Sequence, residues 1–175
     1  VRHVWPEEPA ESTQSYSDAL GCVLRHCKRD PAHRSLLVAH QFVAGAAVCE
    51  SEEPSVGGLD SVDVSLFEGF DYVALGHLHT ASGLLRAGKT WYAWPGCPEG
   101  RGFDELGEKG VLWLEVEKGR TEAEFVPLCR RRYQILSVDL TGQAAPAAAV
   151  LAALPPQTGE DIYRLLLTGE RGLEG

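Results

Sequence analysis

The residues best suited to chemistry are histidines at the ends of apolar runs. Gly76-His77-Leu78-His79 follows Tyr72-Val73-Ala74-Leu75, a run that reads as a buried strand. Alternation places residues two apart on one side of an extended chain, so both imidazoles converge on one point if strand geometry persists through Leu78. Gly76 leaves room for close approach. A second apolar run, Leu36-Leu37-Val38-Ala39, ends the same way, at His40 followed by Gln41-Phe42-Val43. Three histidines at two strand ends suggest a metal site, because neutral imidazole is a common ligand for divalent cations and strand termini hold ligands rigidly. Harder ions such as manganese and magnesium prefer oxygen, so a hydrolytic two-metal site needs carboxylates as well. None has evident spacing: Asp71 precedes the second strand, and Asp60 and Asp63 lie in the connecting segment. The competing reading of so short a motif is two strand-end residues hydrogen-bonded to nearby backbone. His3, His26 and His33 lack this context and read as surface or loop residues.

The elements that must position these histidines alternate. Ser12 or Ser15 caps a helix running to about Lys28, with Tyr16, Ala19, Leu20, Val23, Leu24 and Cys27 on one face, and Asp30-Pro31 ends it. The strand at 36–39 follows, then an acidic loop through Glu50, Glu52 and Glu53 to the turn Gly57-Gly58. A short helix over 62–67 precedes the strand at 72–75, an alternation typical of layered α/β architecture. Downstream, segments 83–86, 90–94, 111–117 and 122–128 have strand propensity and glycine turns, which suggests antiparallel sheet. Residues 94–103, Trp94-Pro95-Gly96-Cys97-Pro98-Glu99-Gly100-Arg101-Gly102-Phe103, form a shaped loop. A strand over 133–140, an alanine-rich helix over 144–154 interrupted by Pro146, and a strand over 162–167 suggest a second module after Arg130-Arg131-Arg132.

Composition bounds the function. At 175 residues and 44% hydrophobic, the chain suits one ordinary globular domain, or one domain and part of another. No apolar stretch approaches the roughly 20 residues that span a bilayer, and Val1-Arg2-His3-Val4-Trp5-Pro6 lacks a signal-peptide pattern, so a cytoplasmic protein is expected. Cys22, Cys27, Cys49, Cys97 and Cys129 are odd in number, never form Cys-x-x-Cys, and read as reduced thiols. A formal charge of −9 gives no global attraction to nucleic acid, although bound dications reverse the local sign at a site. The first residue is not methionine and the chain contains none, which is read as a fragment whose natural start is missing.

Other residues carry weaker signals. The arginines at 130–132 suit phosphate contacts or a solvated linker. Arg101 suits a substrate contact or, preferably, a turn braced by a local carboxylate such as Glu99 or Asp104. Trp91, Trp94 and Trp113 are able to stack on bases, but alternating strand positions favour core packing. Glu50, Glu52 and Glu53 offer oxygen ligands or, more simply, a solvated loop. Asp104-Glu105 is a poor catalytic pair, because adjacent residues on an extended chain point opposite ways.

Leu37-Val38-Ala39-His40-Gln41-Phe42-Val43, Gly57-Gly58-Leu59-Asp60 and Phe70-Asp71-Tyr72-Val73-Ala74-Leu75-Gly76-His77-Leu78-His79 together resemble the SbcD-type exonucleases, calcineurin-like metallophosphoesterases. The likeness continues through 94–105 and Glu108-Lys109-Gly110, closest to the YhaO-like branch, and weakens toward the C-terminus. The resemblance implies the C-terminal half of a four-layered α/β metallophosphoesterase sandwich over 1–129, then the truncated start of a small α/β capping domain over 130–175. It implies two divalent metals, usually manganese, with His40 and His77 on one ion and His79 on the other. It also implies DNA as substrate, a coiled-coil ATPase of the SbcC type as partner, and a possible homodimer. The family's earlier motifs, Asp-x-His, Gly-Asp and Asn-His-Asp, are absent from this sequence. Three neutral ligands without a bridging carboxylate cannot hold two dications close together against their repulsion. The fragment alone is therefore expected to be inactive, with no catalytic residue assigned within it. The alternatives are a phosphoesterase acting on small phosphate esters or cyclic nucleotides, and a degenerate binding domain.

Overall fold

The computed structural model describes residues 1, 3–9, 11, 14–44, 61–156 and 159–170. The acidic loop with Glu50, Glu52 and Glu53, the Gly57-Gly58-Leu59-Asp60 segment, and Cys49 lie outside the described residues. Helix α1 spans Tyr16–His26, and the Ser15 hydroxyl accepts from the Asp18 N–H at 3.1 Å, which satisfies one otherwise orphaned donor of the first turn. Asp18 in that turn and Arg25 and His26 in the last complement the helix dipole. Leu20 and Leu24 pack on the core, and Gly21 lets Leu66 approach closely.

Strand β1, Leu36–His40, pairs in parallel with a later central strand. Between them come β2, Phe42–Val43, and β3, Ser61–Val62, which pair with each other in parallel, and a 3₁₀ turn, Val64–Phe67, capped by Asp63. The central strand is β4, Tyr72–Gly76. Next come β5, Leu85–Ala87, and β6, Thr90–Ala93; the sheet order is β1-β4-β6-β5. The sequence reading of antiparallel sheet downstream is thus corrected in part: β6 runs parallel to β4, and only β5 opposes it.

Central position explains the apolar run in β4. Tyr72, Val73 and Leu75 are buried, and Val73 and Leu75 join Val43, Val62, Phe67, Phe70, Leu78 and Trp94 in one hydrophobic core. Each such aliphatic or aromatic side chain contributes roughly 1.5–3 kcal/mol by leaving water. At the sheet edge, β1 keeps Leu36 and Val38 exposed. The Asp71 carboxylate accepts from the Ser35 N–H at 2.9 Å, and its own N–H donates to Ser35 O, so Asp71 locks the starts of β1 and β4 together.

The rest is smaller units. Strands β7, Gly110–Glu117, and β8, Arg120–Pro127, form an antiparallel hairpin turned at Gly119. Strand β9, Tyr133–Asp139, helix α2, Pro146–Ala153, and strand β10, Ile162–Thr168, form a β-α-β unit with parallel strands. Pro146 opens α2 rather than interrupting it, since a first-turn position needs no N–H. The described architecture is mixed α/β, with one four-stranded sheet and three two-stranded ladders. Among the described residues no helix is long and apolar enough to cross a membrane.

Core packing of the three tryptophans holds only in part. Trp94 is buried, but Trp113 on the hairpin is 67% exposed, because β7 has a partner on one side only and no layer over that face among the described residues.

Candidate metal centre

The register of β1 against β4 sets His40 directly opposite Gly76. A Cβ on Gly76 would stand 2.7 Å from His40 Nδ1, so the absence of a side chain is what admits the imidazole. His77 then turns the chain with φ +98°, the one non-glycine positive φ among the described residues. A residue held there costs about 1–3 kcal/mol. Its ring meets His40 edge-on, centroids 5.4 Å apart, and Phe42 at 6.0 Å. His40 and His77 therefore sit adjacent and exposed at the ends of two neighbouring strands.

That turn corrects the alternation argument. Extended geometry stops at Gly76, so His77 and His79 are not successive residues on one face of a strand. Leu78 drops into the core, and His79 is engaged by the loop that follows β6. Its carbonyl accepts from the Cys97 N–H at 3.2 Å and Lys109 Nζ at 3.3 Å. Gly96, at φ +80°, permits this approach, because a Cβ there would meet His79 O at 2.8 Å. Trp94 adds a brace by donating its indole N–H to Gln41 O, beside His40.

The loop delivers Glu105, whose side chain is 1% exposed, to His79: Oε1 lies 2.8 Å from Nδ1. Arg101 donates to the same carboxylate from Nη2 at 2.7 Å and from its backbone N–H at 2.9 Å. Chiefly through the Arg101 guanidinium, and against the opposing effect of burial, the Glu105 pKa is lowered to about 2. Burial and the Glu105 charge push the Cys97 thiol upward, so it stays protonated near neutrality.

Glu105 is the carboxylate that the sequence reading missed. Arg101 is braced by a local carboxylate as expected, but by Glu105 rather than Glu99 or Asp104. No local sequence signal marked this pairing: only the Gly102–Glu105 turn, outside any helix, brings Arg101 and Glu105 together. Glu99 instead accepts the backbone N–H groups of Arg130 and Arg131, while Arg132 pairs with Asp161 at 2.7 Å.

Among the described residues, one group of three potential ligands has its donor atoms within 4.8 Å of one another, and it is not the histidine trio. It comprises Glu8, Cys22 and His26. His26 stacks on Trp5 and lies 2.8 Å from Glu8 Oε1, and Arg25 pairs with Glu8 Oε2. His33 pairs with Asp30.

The side chains here could supply a share of a metal's ligands: Gly76 makes room for the His40 imidazole, the His77 ring stands beside it, and His79, beyond the turn, contacts the buried Glu105 carboxylate. The donors are nitrogen, so oxygen-loving cations need further ligands.

No family model matches the chain. Over 97 residues it is 33% identical to the SbcD subunit of the nuclease SbcCD of Staphylococcus epidermidis, covering 54% of this chain and 25% of that protein. Over 122 residues it is 30% identical to the SbcD subunit of the nuclease SbcCD of Staphylococcus saprophyticus subsp. saprophyticus, covering 67% and 32%. The chain thus spans about a quarter to a third of the length of these curated relatives.

Proposed function

We propose that this chain is part of a DNA repair nuclease of the SbcD type, a metallophosphoesterase that cleaves phosphodiester bonds with two divalent cations, manganese in the usual case. The supporting observation is the pairing of sequence similarity to the SbcD subunits of two SbcCD nucleases with imidazoles at adjacent parallel strand ends, His40 cradled by Gly76 and His77 beside it. In this reading His40 and His77 hold one cation and His79 the other, within a four-layered sandwich over 1–129 followed by a capping module from 130. The ions, when bound, supply an activated water and neutralise charge at the leaving oxygen.

This chain's own residues do four things. His40 and His77 offer ring nitrogens at the ends of adjacent parallel strands. Gly76 keeps the His40 ring from being pushed aside. The 95–105 loop closes on the His79 carbonyl and ring, which fixes that imidazole. Leu78, next to His77 and His79 in the chain, and Trp94, which donates to Gln41 O, are buried in the hydrophobic core and anchor the strand ends to it. The reading includes DNA as substrate, an SbcC-type ATPase as partner, a homodimer and action in the cytoplasm.

The test is manganese-stimulated digestion of linear duplex DNA by the intact protein. Activity should depend on His77, and full activity in His77→Ala sinks the ligand assignment. Hydrolysis of small phosphate esters or cyclic nucleotides without digestion of DNA would move the substrate class instead.

A further inference from the structure

A neutral imidazole carries one proton on one of its two nitrogens, and the other nitrogen has the lone pair. Among the described residues, Glu105 and Arg101 compete for His79 Nδ1. Glu105 Oε1, at 2.8 Å, can only accept; Arg101 Nη2, at 2.7 Å, can only donate. If Nδ1 accepts from Arg101, the neutral ring carries its proton on Nε2 and has nothing to offer a cation there. If Nδ1 donates to Glu105, the lone pair lies on Nε2 and can bind a cation.

Burial decides between them. Arg101 is 67% exposed, and its guanidinium already donates to Glu105, so losing a bond to His79 costs it little that water does not replace. The Glu105 carboxylate is 1% exposed and has no such recourse, so each protein donor aimed at it counts. A proton on His79 Nδ1 would add a donor to a set that includes the Arg101 backbone N–H and guanidinium and the Cys97 thiol. We propose that Glu105 is a positioning residue, whose buried carboxylate fixes His79 as the Nδ1–H tautomer and so presents Nε2 to a divalent cation.

The inference deepens the nuclease reading and rests on its assignment of His79 as a ligand. The same arrangement, a carboxylate behind a metal-bound histidine, orients ligands in metal sites generally, and its loss typically lowers affinity 10–100-fold. Arg101 then acts as the counter-charge that keeps Glu105 ionised. Its Nη2 lies 3.4 Å from Nε2, so a cation bound at Nε2 would require the guanidinium to turn toward solvent.

Two measurements on the intact protein test this. Nitrogen-15 NMR of labelled histidine in metal-free protein should report His79 with its proton on Nδ1; a proton on Nε2 overturns the proposal, and this readout needs no variant to fold. Titration with Mn²⁺, followed by EPR, should show Glu105→Gln binding about 10–100-fold more weakly, with its unfolding transition still cooperative. If His79→Ala weakens Mn²⁺ binding but Glu105→Gln does not, the positioning role falls while the ligand assignment stands. If His79→Ala binds Mn²⁺ as the natural protein does, both fall together.

Discussion

Two clusters in this molecule are built from the same four residue types. At the strand ends, His79, Glu105, Arg101 and Cys97 meet; beside helix α1, His26, Glu8, Arg25 and Cys22 do. Each has a histidine nitrogen 2.8 Å from the carboxylate of a glutamate that an arginine also pairs, through the same oxygen at Glu105 and through the other oxygen at Glu8, and in each burial pushes the thiol upward. By proximity alone the helix cluster is the better metal site, since its three donors lie within 4.8 Å. The difference lies in what surrounds them. His26 is held flat against Trp5, with centroids 4.3 Å apart, and its ring ties the N-terminal segment to α1. His79 follows the strained turn at His77, whose ring meets that of His40 at the ends of two parallel strands. Donor spacing identifies a hydrogen-bonded knot as readily as a site; scaffold rigidity and open neighbours separate the two.

The largest expected effect separates the clusters by activity. In the intact protein, His77→Ala or His40→Ala should lower manganese-stimulated DNA digestion by at least ~100-fold, as loss of a direct ligand exceeds the usual effect of losing an outer partner. His26→Ala should leave it within about twofold. His77→Gly sharpens the contrast: it should be equally inactive yet more stable by ~1 kcal/mol in denaturant unfolding, because glycine accepts φ +98° without strain. A His77→Gly protein no more stable than His77→Ala would remove strain from the account of this turn.

Much of this was legible from residue order, and the reason is local. Ser15 and the apolar face of α1, the run at β4 and the place of His40 at the end of β1 each carry their signal within a few residues. What was not legible depends on closure of a loop in three dimensions. Nothing near Glu105 in sequence distinguishes it from Asp104 until the Gly102–Glu105 turn buries one and leaves the other in water. The parallel pairing of β6 with β4 was hidden for a similar reason: propensity records that a strand forms, not which edge receives it. Trp113 misled because alternation names a face without saying that another layer covers it.

Acid titration should distinguish the clusters next. The Glu105 pKa falls from the ordinary 4.5 to about 2, chiefly through Arg101, so ionised Glu105 stabilises the folded state. That contribution is complete above pH 4.5 and is lost as pH falls through about 2, on the order of 3 kcal/mol in all. The stability advantage of the natural protein over Glu105→Gln should therefore be largest at pH 6 and shrink steadily by pH 3 in denaturant unfolding. A pH-independent difference would show that Glu105 acts by packing rather than charge.

Glycines at the two places give a smaller, opposite pair. Gly76→Ala forces a Cβ to 2.7 Å from His40 Nδ1, which should cost about 1–3 kcal/mol by overpacking and turn the imidazole away. Gly21→Ala on α1 meets Leu66 Cδ2 at 3.3 Å, a contact that a small shift of a flexible side chain relieves. Alanine also gains about 0.8–1 kcal/mol of helix propensity there. Thermal unfolding should rank Gly21→Ala at or above the natural protein and Gly76→Ala clearly below it.

The smallest effect tests whether the helix cluster is only a tether. Trp5 covers His26 with an interplanar angle of 6°, and Glu8 joins that ring to Arg25. Replacing Trp5 by alanine removes one stacked pair, worth about 0.5–1.5 kcal/mol beyond its burial, and frees the N-terminal segment from the helix. Hydrogen exchange should then accelerate at the C-terminal turn of α1 while the amides of β4, in the centre of the sheet, exchange unchanged. Metal affinity in the intact protein should not move, because nothing in the Trp5 contact reaches the ends of β1 and β4. A fall in Mn²⁺ affinity in Trp5→Ala would mean that the two clusters communicate through α1 and the Leu20 and Leu24 contacts to the core, and that the tether helps to set the strand ends.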